Sequence, residues 1–153
     1  MSMELSAAGL NLLMMSEGFR SHAYLDVEGY STIGYGHRVL ASESFPEGID
    51  KEKAVLLLRE DVRGAERDVQ KLVKVPLSQG QFDALVDFCF NLGYRRLAAS
   101  TLLRELNLGR YSAAAVELLY WDHAGTKVSA ALKARREAEF RLWTEIGPQR
   151  KTA

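Results

Sequence analysis

The sequence predicts an α+β fold in which a short antiparallel sheet near the amino terminus precedes a long helix and then a helical region. Three observations support this prediction. Apolar residues recur with helical spacing over residues 5–16 and again over residues 50–74. Between these segments, residues 19–40 place aromatic and β-branched side chains among glycines, which is typical of short strands joined by tight turns. From residue 76 to residue 146 the pattern is helical throughout.

Composition and charge narrow the possible classes of protein. A chain of 153 residues with 47% hydrophobic and 26% charged side chains is typical of a globular domain with a substantial core. Its formal net charge of zero gives no reason to expect a nucleic-acid partner. Residues 1–50 are nevertheless acidic, because they contain seven carboxylates and only two basic side chains, Arg20 and Arg38. The single cysteine, Cys89, excludes an intramolecular disulfide and stands between two phenylalanines, so we expect it to pack in the core.

The first predicted helix, residues 5–16, has Ser6 in position to cap its amino end, and Glu17 and Gly18 follow it. The stretch 19–40 predicts a small hairpin or meander. A sheet of this size is not stable alone in water, so it must pack on a helix. Its strand-forming side chains are Tyr24, Tyr30, Ile33 and Tyr35.

The second predicted helix, residues 50–74, begins at Asp50, which follows Pro46 and Gly48 and is a typical N-cap residue. Its length of about 35 Å is large for a small domain, so it is suited to connect two lobes. We therefore describe residues 1–153 as one domain with three parts: an N-terminal lobe carrying the sheet (1–50), a connecting helix (50–75) and a C-terminal helical lobe (76–153).

The C-terminal region begins after Pro76, which ends the long helix. The segment from Ser78 to Gln81 forms a capping-box pattern ahead of a helix, and Gly93 is placed to end that helix. Glycines then separate further predicted helices near residues 100–107, 112–121 and 129–145.

Glu17, Asp26 and Thr32 are the residues with the most informative chemistry. Glu17 follows an apolar helix, where we expect a carboxyl group to be partly desolvated and suited to donate a proton. Asp26 lies in a polar, glycine-containing turn, which suits it to be the second carboxylate, and the hydroxyl of Thr32 is suited to hold a water molecule. A proton donor and an ionised carboxylate facing one cleft are what glycoside hydrolysis requires. Two acids nine residues apart are common, however, so the pair alone is not specific.

The pattern around these residues is far more specific. It reads Glu17-Gly18, then Asp26-x-x-Gly29-x-x-Thr32, continued by Ile-Gly-Tyr-Gly and His37. This run resembles the signature of phage-type lysozymes, including the T-even phage lysozyme and, more closely, the lambdoid phage endolysins. The similarity covers essentially the whole chain in the same order, because it continues through Gln81–Gly93, Ser100–Arg104, Arg135–Glu139 and Trp143. The resemblance implies a lysozyme-like fold and catalysis without a cofactor.

The resemblance also implies a role for each residue of the motif. Glu17 matches the general acid that protonates the glycosidic oxygen, Asp26 the carboxylate that positions or activates the attacking water, and Thr32 a residue that helps to hold this water. The family inverts the configuration at the anomeric carbon. A water must therefore fit between the two carboxyl groups, which are expected to stand about 6.5–9.5 Å apart.

Other positions match the family in binding or structural roles. Tyr24, Phe90, Asn91 and Thr101 match cleft-lining positions suited to contact sugar, although simple core packing of Phe90 remains open. His37 and Asp61 match a structural ion pair. Either Arg135 or Arg136 matches a basic residue beneath Glu17, and the sequence does not decide between them. No metal site is expected, because His22 and His123 have no ligand-like context.

The resemblance implies an endolysin-type muramidase that hydrolyses the β-1,4 bond between N-acetylmuramic acid and N-acetylglucosamine and so lyses bacteria. Two alternatives stay open: a lytic transglycosylase, which needs one acid and no water-activating partner, and a non-catalytic murein-binding protein. The presence of Glu17, Asp26 and Thr32 together favours hydrolysis.

The expected partner is the peptidoglycan glycan strand, with neither nucleic acid nor a stable membrane anchor. We expect a monomer without a signal peptide or transmembrane segment. Such a protein is expected to stay in the host cytoplasm until a holin lets it reach the cell wall. The sequence does not distinguish a phage from a prophage or domesticated origin.

Overall fold

The computed structural model describes residues 2–145 and has the predicted α+β architecture. Within these residues the elements are, in order, α1 (Ala7–Glu17), β1 (Arg20–Leu25), β2 (Ser31–Gly34), β3 (His37–Arg38), α2 (Lys51–Leu72), α3 (Gln79–Leu92), α4 (Tyr94–Ala98), α5 (Thr101–Asn107), α6 (Tyr111–Leu118), β4 (His123–Ala124), β5 (Lys127–Val128) and α7 (Ala130–Thr144).

The chain forms two compact units. One contains residues 13–64, and the other contains, of the described residues, 2–12 and 65–145. The boundaries between the units fall inside α1 and α2. The division into lobes 1–50, 50–75 and 76–153 stays a prediction, and residues 146–153 of its last part lie outside the described residues.

The unit of residues 13–64 is built around the sheet predicted within residues 19–40. Its three strands are antiparallel in the order β1-β2-β3. Tyr24 pairs with Thr32 across β1 and β2, but the register is irregular between Arg20 and Tyr24. At this irregularity the amide of Ile49 donates to the carbonyl oxygen of Ser21 at 2.8 Å, so the chain after the sheet satisfies a backbone group that the ladder leaves open.

The sheet packs on α2, as a small sheet must. Ile33 in β2 is fully buried, and Leu58 of α2 is also buried. The approach is close at Gly34, whose φ is 66° and where an added Cβ would stand 3.1 Å from the Cβ of Ala54. The predicted N-cap of this helix is present, because Asp50 Oδ1 accepts a 2.8 Å hydrogen bond from the amide of Lys53.

The other unit is helical around α3, which is buried from Phe82 to Cys89. The predicted capping box of Ser78 and Gln81 is present, and Gly93 ends the helix by donating to the carbonyl of Cys89 at 2.8 Å. Burial raises the pKa of the Cys89 thiol to about 11, in agreement with the predicted packing role. Ser6 caps α1, because its Oγ accepts a hydrogen bond from the amide of Gly9.

The all-helical prediction for residues 76–146 is wrong between α6 and α7. Helix α6 ends at Leu118 rather than 121, and a two-stranded ribbon follows. Its loop is Gly125-Thr126, with a φ of 65° at the glycine and no positive φ at the threonine, as in a type II′ turn. Two residues per strand are too few to show strand periodicity. The five-residue helix α4 was also missed, because it is too short to show helical periodicity. Within residues 2–145, no helix is both long and apolar enough to cross a bilayer.

Two glycines provide a test of helix packing. A Cβ on Gly80 of α3 would stand 2.0 Å from the carbonyl oxygen of Leu142 in α7, whereas a Cβ on Gly64 of α2 would meet nothing within 4 Å. We expect Gly80→Ala to lower the free energy of unfolding by about 2 kcal/mol or more, because the two helices must separate. Gly64→Ala is the matched control, and we expect it to raise stability by about 0.5–1 kcal/mol. Urea unfolding measures both, and equal effects would contradict the close packing of α3 on α7.

Candidate active site

Glu17 is the last residue of α1 and is half-buried. The amide of Gly18 donates to the carbonyl of Met14 at 3.0 Å, so the helix is intact up to its final residue. Gly18 then has a φ of 70°, which turns the chain sharply into β1. The carboxyl group therefore projects from a rigid helix end that adjoins the sheet in sequence.

The turn between β2 and β3 lies against the Glu17 side chain. An added Cβ on Gly36 would stand 3.2 Å from Glu17 Oε2 and 3.9 Å from its Cδ. Gly36 also has a φ of 81°, a conformation that favours glycine. Both the close approach and the backbone conformation explain why glycine precedes His37 in the sequence motif.

Asp26 organises the turn between β1 and β2. Its Oδ1 accepts two backbone hydrogen bonds, from Glu28 at 2.9 Å and from Tyr30 at 2.8 Å. Its own amide donates to the carbonyl of Tyr30, and its carbonyl accepts from Gly29, both at 2.9 Å. One oxygen of the carboxylate is thus fully used in fixing the turn. Among residues 2–145, none donates a hydrogen bond to the other oxygen, Oδ2, which is available for a ligand.

Thr32 lies in the middle of the sheet and is only 5% exposed. It pairs with Tyr24 of β1 and with Arg38 of β3, so these three side chains share one face. Its hydroxyl donates to the carbonyl of Tyr30 at 2.9 Å. Because the proton is used in this bond, the lone pairs of Thr32 Oγ1 remain to accept a hydrogen bond from water or substrate.

The peptide groups of Tyr30 join Asp26 to Thr32. The Tyr30 amide holds the Asp26 carboxylate, and the Tyr30 carbonyl accepts from both the Asp26 amide and the Thr32 hydroxyl. Asp26 and Thr32 were predicted from the sequence motif. This link between them was not, because it runs through backbone atoms and leaves no signature in residue type.

Tyr24 is half-buried beside Thr32 and carries the guanidinium of Arg20, whose Cζ is 4.5 Å from the ring centroid. The predicted contact of Tyr24 with sugar stays a prediction. Its place beside Thr32 follows from the strand register.

His37 is buried between two carboxylates. Its Nδ1 is 2.8 Å from Oδ2 of Asp61 on α2, the residue predicted as its partner. Its Nε2 is 2.8 Å from Oε1 of Glu43, which sequence analysis missed because Glu43 lies in an irregular segment without periodicity. Glu43 Oε1 also accepts the amide of Leu40 at 2.8 Å. His37 therefore joins β3 to α2 and to the segment after the sheet.

The pKa shifts in this cluster reflect both burial and pairing. Burial alone lowers the pKa of His37, but the hydrogen bonds to Glu43 and Asp61 outweigh it and raise the pKa. The amide of Leu40 and then His37 lower the pKa of Glu43. Burial raises the pKa of Asp61 against the opposing effect of His37.

Phe90, Asn91 and Thr101 belong to the helical unit. Phe90 and Asn91 are half-buried near the end of α3, and Thr101 is exposed at the start of α5. Asn91 Oδ1 accepts a 2.9 Å hydrogen bond from Arg136, so its side chain already has a structural partner. Contact of any of the three with substrate stays a prediction.

The same unit contains a buried charged cluster that was not predicted from the sequence. Arg135 binds Asp87 through two hydrogen bonds of 2.9 Å, and Arg136 donates to Glu139 at 2.8 Å. Burial, and then a hydrogen bond in which protonated Glu139 donates to Asp87, raise the pKa of Glu139 well above its usual range. Which arginine lies beneath Glu17 stays a prediction.

Comparison with known proteins identifies the family. The phage lysozyme family model matches residues 14–139. The endolysin of Salmonella phage P22 is 42% identical over 137 residues, which cover 88% of this chain and 94% of that protein. The endolysin of Bacillus phage B103 is 47% identical over 144 residues, or 92% of this chain, but the chain spans only 54% of that relative's length.

Solved structures agree. A mutant of P22 lysozyme matches with a TM-score of 0.86 and 39% identity, covering 94% of this chain and 99% of the other. The muramidase domain of SpmX from Asticaccaulis excentricus has the same TM-score and coverage at 38% identity.

The chain belongs to the phage lysozyme family. The resemblance inferred from the motif, the lysozyme-like fold and the prediction of an enzyme of the lysozyme class are confirmed by these findings.

The ion pairs of His37 give a pH prediction for this lysozyme-family fold. A raised pKa means that their contribution to stability is complete below about pH 6.5 and is lost as the pH rises through the folded-state pKa. We expect Glu43→Gln to lower the free energy of unfolding by about 1 kcal/mol at pH 6, because one charged acceptor is lost. The stability of the Glu43→Gln variant is also expected to fall less than that of the parent between about pH 6 and pH 9.

Glu47→Gln is the control, since Glu47 is exposed in the same segment and the substitution makes the same change in charge. Thermal unfolding across the pH range measures the slopes. Identical slopes for Glu43→Gln and Glu47→Gln would contradict the proposed pairing of His37 with Glu43.

Proposed function

We propose that this chain is a muramidase that hydrolyses the β-1,4 bond between N-acetylmuramic acid and N-acetylglucosamine in peptidoglycan with inversion of configuration. Glu17 is the general acid, Asp26 is the base that activates water, and Thr32 helps to hold the water. No cofactor takes part.

The observation that carries the proposal is the arrangement of the two turns that flank β2. The turn before the strand fixes Asp26 and links it to Thr32 through the Tyr30 peptide groups. The turn after the strand brings Gly36 against the carboxyl group of Glu17. Thr32 lies on a four-residue strand between the turn that fixes Asp26 and the turn that lies against the Glu17 side chain. Acid–base chemistry requires such defined positions.

In the proposed reaction, Glu17 gives its proton to the glycosidic oxygen while the bond from that oxygen to the anomeric carbon breaks. A water held by Asp26 Oδ2 and Thr32 Oγ1 attacks the anomeric carbon from the opposite face. The water loses a proton to Asp26, and the new reducing end carries the α configuration. The unused Oδ2 of Asp26 and the acceptor lone pairs of Thr32 are the groups that this water needs.

This arrangement favours hydrolysis over the two alternatives. A lytic transglycosylase closes the muramic acid ring with its own hydroxyl and needs no water-activating carboxylate. A protein that only binds murein needs neither group to be held in place. We also propose that the chain acts as a monomer and stays in the host cytoplasm until a holin gives it access to the cell wall, by analogy with the phage endolysins it resembles.

Substitution of the acid tests the assignment. We expect Glu17→Gln to reduce lysis of permeabilised Gram-negative cells by about 10²–10⁴-fold, because an amide cannot donate the proton, with no loss in the thermal midpoint. Glu28→Gln is the control, since Glu28 is exposed and contributes only its amide to the Asp26 turn. Mass spectrometry and NMR of the products are expected to show a reducing end with the α anomer. An anhydro-sugar product identifies a transglycosylase, and retained lysis by Glu17→Gln removes Glu17 from its role.

Alanine substitutions at Gly36 and Gly29 distinguish an effect on the position of Glu17 from an effect of backbone strain. Both glycines have a positive φ, of 81° and 87°, so alanine at either is expected to cost about 1 kcal/mol of stability. Only at Gly36 would the new Cβ meet Glu17. We therefore expect Gly36→Ala to lower kcat at least tenfold and Gly29→Ala to leave it within about twofold. Equal kcat values in the two variants, measured well below their melting temperatures, argue against contact between Gly36 and the acid.

A further inference from the structure

The two basic residues of the acidic first fifty residues both lie over aromatic rings of the catalytic sheet. Arg20 Cζ is 4.5 Å from the ring centroid of Tyr24, and Arg38 Cζ is 3.6 Å from that of Tyr30. The shorter contact is typical of a guanidinium held flat against a ring face. Both arginines of this segment are therefore held against rings of the sheet.

Arg38 is next to the groups assigned to the attacking water. It pairs with Thr32 across β2 and β3, so the two Cβ atoms are about 4.5–5.5 Å apart and point to the same face. The ring on which it lies belongs to Tyr30, whose amide holds Asp26. Arg38 is thereby connected to Thr32 by strand register and to Asp26 through Tyr30.

The guanidinium of Arg38 is available to a ligand. The residue is exposed, and among residues 2–145 no carboxylate pairs with it. Arg135 is a clear contrast, because Asp87 occupies two of its donors from within the protein. A cation that is held in place by a ring and keeps its donors open is preorganised to bind a planar anion such as a carboxylate in bidentate fashion.

We infer that Arg38 binds a carboxylate of the murein substrate and so determines specificity for the charged polymer. This inference rests on the proposed muramidase function. Murein offers the carboxylate from two sources: the stem peptide, and the lactyl group of muramic acid once the peptide has been removed. The Arg38–Tyr30 pair places the cation on the Thr32 face of the sheet, within reach of a substituent on a sugar bound beside Asp26.

The test compares kcat/KM for Arg38→Gln, Arg38→Lys and the parent on three substrates. These are murein with its peptides, the same murein with its carboxylates converted to amides by carbodiimide, and glycan strands stripped of peptide by an amidase. Arg63→Gln is the matched control, since Arg63 is exposed on α2 and only loosely paired, at 3.7 Å, with Glu60. Thermal midpoints check that every variant is folded.

We expect Arg38→Gln to lose about fivefold in kcat/KM on native murein and to be equal to the parent on the amidated form. Arg38→Lys is expected to recover part of the loss, and the loss is expected to shrink at high salt because the pair is exposed. A loss on stripped strands shows that Arg38 also binds the lactyl carboxylate, and no loss there restricts its ligand to the carboxylates of the stem peptide.

Two results would overturn the inference. In the first, Arg38→Gln loses the same factor on amidated and native murein, so that Arg38 only supports the turn. In the second, the variant loses nothing on native murein. Failure of the proposed function itself is distinguishable, because the parent would then release no reducing ends from any of the three substrates.

Discussion

The hydrogen bonds that Asp26 accepts from the amides of Glu28 and Tyr30 are the constraint on which the site depends. They close the turn before β2 and so set which residues of β1 and β2 face each other. The same bonds leave one carboxylate oxygen for chemistry. Loss of this side chain would remove both the proposed base and the element that positions Thr32. Removal of the Asp26 side chain therefore cannot separate its structural role from its proposed catalytic role.

The turn after β2 is held in a different way. His37 is fixed between Asp61 on α2 and Glu43, and Ile33, its partner across the strands, is fully buried. This pairing anchors β3 to the helix on the face opposite Thr32, because successive side chains of a strand point to opposite sides. Thr32, Tyr24 and Arg38 lie on the face that does not carry this packing, and Arg38 is exposed there. Gly36 lies in the turn between β2 and β3 and is close to the Glu17 carboxyl group, so anchoring of β3 also fixes the backbone beside Glu17.

Much of the fold was predictable from the sequence, because its signals are local. Capping residues such as Ser78 and Asp50 act within one helical turn, and the glycines around Tyr35 mark tight turns. The β4–β5 ribbon and Glu43 were missed because the first has too few residues for periodicity and the second has only a tertiary partner. The residue set of the candidate site came from a resemblance, since the spacing of Glu17 and Asp26 alone is unspecific. Its linkage through the Tyr30 backbone is invisible in residue types.

The arginines of the two units differ in burial and in their partners, and this difference determines whether they are available to a ligand. In the helical unit Arg136 and Glu139 are fully buried, and burial lowers the pKa of Arg136 while raising that of Glu139. Groups under such desolvation need partners, and Arg136 finds them in Asn91, Glu139 and the Phe88 ring, 5.1 Å from its Cζ. Within residues 2–145, Arg38 on the sheet lies over the Tyr30 ring, forms no ion pair and is exposed. A buried arginine that is paired within the core has a structural role, whereas an exposed arginine held by a ring keeps its donors for a ligand. We therefore place substrate recognition on the sheet.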